Sequence, residues 1–147
     1  MSRSGCIGVH DGAWSPNDAR TRLEAAQPDI DAVTRVANEY IESYVGGHAR
    51  RHAEVYHPES LKRRYVTDHA TGVTELVTLS PRIMADYAVA SGPMGGDCET
   101  EVVIDDISED MASVRIYSCR WVDFAHIVRA RGEWRLFHVT WHGRSPA

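Results

Sequence analysis

Asp123 and His126, three residues apart in the run WVDFAH, and His138 in the next apolar run are the residues of this chain best suited to moving a proton. A carboxylate held against an imidazole fixes its tautomer and raises its basicity, and such a pair can take a proton from a substrate and return it. Side chains alternate faces along a strand, so Asp123 and His126 share a face only across a bulge. If Arg131-Gly132 forms a two-residue hairpin, Ala130 faces Glu133, and counting back sets Ala125 beside His138 and His126 beside Phe137. Asp123 and His138 then become diagonal neighbours on one face. Both pairings, Asp123 with His126 and Asp123 with His138, stand open. His57, just before Pro58, is the further catalytic candidate, placed to stabilise charge on a substrate oxygen.

Tyr40 and Tyr44, four apart on one helical face, together with Trp121 offer apolar area and hydroxyl donors for a flat or cyclic ligand. Lys62 or Arg63, on opposite faces of a strand, could meet an anionic group, and Lys62 is the candidate ligand contact. His48 and His52 have helical chelate spacing, but no third ligand is marked and HExxH is absent, so no metal is expected. Cys119 has no evident basic partner. GxSxG, Walker and dinucleotide motifs are missing, and no cofactor is expected.

These residues must be positioned by elements. From Pro28 the apolar residues Ile30, Val33, Ala37, Tyr40, Ile41 and Tyr44 trace an amphipathic helix, capped by Asp29 and ended by Gly46-Gly47. A shorter helix runs from about His48 to Tyr56 and stops at His57-Pro58. Strands at about 62–67 and 73–79 precede a third helix, opened by Ser80-Pro81 and broken after Ala90. Four further strands, at about 101–107, 112–119, 123–130 and 134–141, have the spacing of an antiparallel meander. The class is α+β: a cone-shaped, strongly curved antiparallel sheet with three helices over its concave face.

The 147 residues suit one domain, with residues 1–27 as a flexible N-terminal arm and 28–147 as the folded unit. The arm lacks the apolar core of a signal peptide. A net charge of -5 argues against nucleic acid as partner, and no apolar run is long enough to span a membrane. The odd count of three cysteines without CxxC spacing argues against a disulfide framework and for a cytoplasmic protein.

The order of elements resembles the nuclear transport factor 2-like superfamily. Within it, HPESLKR at 57–63, WVDFAH, and GEWRLFHVTW at 132–141 resemble the group described as putative lumazine-binding proteins. The resemblance implies a pocket inside the cone, favours His126 as Asp123's partner and implies homodimerisation through the outer sheet face. It leaves the activity open among isomerases, dehydratases (lyases), polyketide cyclases and non-catalytic modules. The expected function is acid–base chemistry on a small cyclic or carbonyl-containing metabolite. The alternatives are a small-ligand-binding or dimerisation module without turnover and a purely structural partner.

Overall fold

The computed structural model describes residues 27–144, so the expected N-terminal arm lies outside the described residues except for Gln27. Three helices and six strands follow: α1 (Gln27–Val45), α2 (Ala49–Glu54), β1 (Tyr56–Thr67), β2 (Thr74–Leu79), α3 (Pro81–Ser91), β3 (Glu101–Ile107), β4 (Met111–Tyr117), β5 (Trp121–Ala130) and β6 (Glu133–Gly143). The α+β class and the curled sheet agree with the sequence reading.

Helix α1 buries Val33, Ala37, Tyr40, Ile41 and Tyr44 of the apolar stripe, with Ile30 partly buried against the same core. Its end is a glycine-dependent cap. Gly47 takes φ +70, the His48 N–H donates to the Ser43 carbonyl at 2.8 Å, and the Gly47 N–H donates to that of Tyr44 at 3.0 Å. Asp29 lies within the first turn instead of capping it. Its carboxylate accepts from Arg129 Nη1 at 3.0 Å and Trp134 Nε1 at 3.2 Å, pinning the helix to the β5–β6 hairpin. Ser80 caps α3 as expected, accepting from the Ile83 N–H at 3.3 Å.

The second helix is shorter than its sequence suggests. It ends at Glu54, before His57-Pro58, and the extended conformation that proline imposes on its predecessor falls inside β1, which begins at Tyr56.

The strand order is β2-β1-β6-β5-β4-β3. Every neighbouring pair is antiparallel except β1 and β6, which run parallel, so the sheet is mixed where an all-antiparallel one was expected. No hairpin joins β1 to β6, so their relative direction is free of turn geometry, and the pairing begins at Tyr56 beside Leu136. The β5–β6 turn is the two-residue hairpin read from the sequence. Arg131 and Gly132 take φ 53 and 80, and Ala130 faces Glu133.

Helix α1 packs on β3, β4 and β6, and α3 packs on β1 and on both other helices. Between them and the sheet lies the core, with Ile116, Ile127 and Leu136 fully buried. Cys98 and Cys119 form a disulfide, against the expectation from their spacing. It ties the segment before β3 to the β4–β5 turn, a proximity that a sequence separation of 21 hides.

Candidate functional site

A cavity of about 190 Å³ opens between the helices and the sheet. Its walls are Tyr40, Ile41 and Tyr44 from α1, Met84 and Tyr87 from α3, Leu79 from β2 and Trp121 from β5. Lys62 of β1, Asp123 of β5 and Trp141 of β6 supply its polar floor and flank. All four residues read as ligand contacts, Tyr40, Tyr44, Trp121 and Lys62, therefore line one space.

Register explains the floor. Asp123 lies directly across from Trp141, and Lys62 pairs with Val139 on one side and Leu79 on the other, so the three functional side chains project to the same face of adjacent strands. Lys62 Nζ donates to Asp123 Oδ1 at 2.6 Å and to the Tyr40 hydroxyl at 2.8 Å. The ammonium also sits over the Trp141 ring, 4.8 Å from its centroid, a cation–π contact strengthened by the burial of Lys62. Tyr44 meets Trp121 edge-on at 5.7 Å. Arg63, the next residue along β1, is exposed, as alternation requires.

Burial governs the protonation states. It pushes the Lys62 amine below its ordinary value, while the adjacent Asp123 carboxylate pulls the other way. Burial, and then the charge of Asp123, lifts the Tyr40 hydroxyl well above the usual phenol range, so it stays protonated. Tyr40 accepts from Lys62, and its hydroxyl also interacts with that of Tyr56, which raises its pKa further. Asp123 Oδ2 receives no hydrogen bond from the described residues and is the floor's free acceptor.

Behind Tyr40 lies a second buried polar group. His52, fully buried, places Nδ1 3.0 Å from the Tyr40 carbonyl and Nε2 3.0 Å from the Tyr56 hydroxyl. A carbonyl only accepts, so the network assigns the proton to Nδ1 and leaves Nε2 to accept from Tyr56. Burial lowers the imidazole's pKa to about 4, with the backbone hydrogen bond opposing and the charge of Lys62 reinforcing the shift. This ring is neutral and locked. The sequence marks it only as half of a helical chelate with His48, and His48 is exposed.

The predicted Asp–His dyad is absent in either form. Asp123 is 2% exposed on the cavity face, whereas His126 and His138 are exposed on the outer face. Alternation alone removes His126. His138 is removed by a one-residue bulge: Ile127 faces Leu136 but His126 faces His138, leaving Phe137 without a partner and turning His138 outward. His57 lies in β1, away from the cavity, with its ring edge-on to Phe137 at 5.3 Å. Its Nδ1 accepts from the Glu59 N–H at 3.2 Å. Trp141, Met84 and Tyr87 were missed. Met84 and Tyr87 carry helical spacing that could have flagged them, while Trp141 requires the register.

Comparison with known proteins settles the family. The family described as "Putative lumazine-binding" matches residues 28–142. The chain belongs to that family. Its fold is nuclear transport factor 2-like, shared with a protein of unknown function from Methylobacillus flagellatus KT (TM-score 0.66, 20% identity, covering 80% of this chain and 94% of that one). It is also similar to a ketosteroid isomerase-like protein from Erwinia carotovora atroseptica SCRI1043 (TM-score 0.56, 12% identity, 80% and 98% covered). A third similar structure, described as a putative scytalone dehydratase, comes from Novosphingobium aromaticivorans DSM 12444 (TM-score 0.58, 13% identity, 84% and 89% covered). At these identities the likeness is one of fold. No curated protein matches the chain. Among the described residues of this family member, no helix is long and apolar enough to cross a membrane.

Proposed function

We propose that the cavity takes a one-ring or compact two-ring molecule bearing a carbonyl group and moves a proton on it without a cofactor. The observation that carries this reading is the Lys62–Asp123–Tyr40 constellation at the cavity wall. Burying two ions costs several kcal/mol each, and apolar residues of the same volume would generally hold a fold as well or better. Charges kept in such a place suit chemistry or recognition.

In this scheme Asp123 Oδ2 takes a proton from the carbon beside the carbonyl. Tyr40 donates its hydroxyl hydrogen to the oxygen as negative charge develops there, and Lys62 holds the carboxylate in place through Oδ1. Proton transfer of this kind contributes about 10²- to 10⁴-fold when the groups come within roughly 3 Å. The volume suits the ligand, since an apolar cavity of roughly 150 Å³ accepts benzene. The names of the isomerase-like and dehydratase-like neighbours fit a proton-transfer role.

A second reading, binding without turnover, is favoured by the short contact that occupies Asp123 Oδ1 and by the family's description as lumazine-binding. Titrating cyclohexanone while recording tryptophan fluorescence, with Trp121 and Trp141 in the wall, tests for binding. Deuterium uptake at its α-carbons in D2O tests for turnover. A fluorescence response without uptake selects the second reading, and neither response contradicts both.

Homodimerisation through the outer face is part of the proposal, with exposed Phe124 and Met111 offering apolar area there. Sedimentation at micromolar concentration checks it. As for compartment, the Cys98–Cys119 disulfide fits an oxidising one better than the cytoplasm first expected.

A further inference from the structure

We infer that His126 and His138 form a two-imidazole site for a divalent transition-metal ion on the outer face of the sheet. This is independent of the cavity and of the chemistry proposed for it.

A bulge sets the two rings on one face. The Arg131-Gly132 turn fixes the register at the hairpin end, and regular pairing from there would set His126 against Phe137 and turn His138 toward the helices. One unpaired residue, Phe137, reverses that, bringing the two histidines directly opposite each other on one exposed face. Bulges re-aim side chains in this way, and they are over-represented at sheet edges and next to functional sites.

The distances suit a shared ion. The ring centroids are 6.3 Å apart. A zinc ion lies about 2.0–2.1 Å from an imidazole nitrogen, so two rings arranged tetrahedrally about one ion have centroids roughly 5 Å apart. Binding an ion therefore requires the two rings to approach by rotation about their side-chain torsions. The His138 ring stacks on Phe137 at 4.3 Å, which limits its freedom before an ion arrives. Both histidines face open hollows on either side, one with Arg63 and Thr140, the other with Asp106 and Ser113.

Imidazole suits zinc, copper and nickel, while calcium and magnesium prefer oxygen. Among the described residues no third ligand joins the pair. The remaining positions fall to water or to the same pair of a second copy.

Calorimetric titration of ZnCl2 and NiCl2 into the metal-stripped full chain tests the site, using wild type, His126→Ala, His138→Ala and His142→Ala. The expected result is saturable binding at one ion per chain, or one per two chains with dimer formation. Each of the first two substitutions should weaken it at least about tenfold, because a second ligand held within reach multiplies affinity 10²-fold or more. His142→Ala, exposed and two strand repeats away, should bind like wild type. In NMR spectra Ni²⁺ should broaden the ring protons of His126 and His138 first. Equal affinity in all four proteins, or broadening centred on other histidines, overturns the inference.

Discussion

Lys62 Nζ and Asp123 Oδ1 stand 2.6 Å apart across sixty-one residues of sequence, with both side chains nearly sealed from water. Removing one partner strands the other's charge in the core. Asp123→Asn and Lys62→Met should each lower unfolding free energy by about 3–5 kcal/mol, measured by urea denaturation. The double replacement Lys62→Met with Asp123→Leu should recover most of that loss, since no charge is left unpaired. Additive losses would show that the two groups are not coupled.

His52 gives the fold a pH dependence. Its pKa is about 4 in the folded chain, against an ordinary 6.5 when unfolded. Above the ordinary value both states are neutral and the stability is fully present. As pH falls through this window the unfolded chain binds a proton that the folded chain refuses, so stability drops, by on the order of 3 kcal/mol when pH 4 is reached. His52→Gln should flatten that part of the profile measured by urea midpoint between pH 7 and 4.5. An unchanged slope would assign the dependence to other groups.

The Cys98–Cys119 bond closes a loop of twenty-one residues' separation. Cross-linking a loop of that length constrains the unfolded chain by about 3 kcal/mol. Cys98→Ser, or reduction with dithiothreitol, should lower the melting temperature. Thiol titration of the denatured, unreduced chain should find two fewer thiols than after reduction.

Close backbone approach explains Gly92. A methyl group there would meet Gly47 Cα at 2.8 Å and the Ala88 carbonyl oxygen at 3.0 Å, neither of which is a flexible side-chain end. Gly92→Ala should cost about 1–3 kcal/mol by forcing α3 from the α1–α2 turn, seen as a lower urea midpoint.

What could be read from the chain divides along physical lines. Tyr40 and Tyr44 face one cavity because helical periodicity is local, and Lys62 faces inward where Arg63 does not because strand alternation is local too. The hairpin at Arg131-Gly132 was legible from its turn residues. The partner of Asp123 was not, because it depends on β1 running beside β6, a parallel pairing that no turn announces. A one-residue bulge at Phe137 was equally silent, and it alone moved His138 to the other face. The disulfide escaped for the same reason, since it joins segments brought together only by the finished sheet.

The most direct test of the account asks which face of the sheet does the chemistry. Deuterium uptake by cyclohexanone in D2O should be measured with wild type, with folded Asp123→Asn, and with His126→Ala/His138→Ala. The account predicts a loss of about 10²-fold or more for Asp123→Asn and a change within about twofold for the histidine pair. Uptake that survives Asp123→Asn and disappears with the two histidines would contradict it.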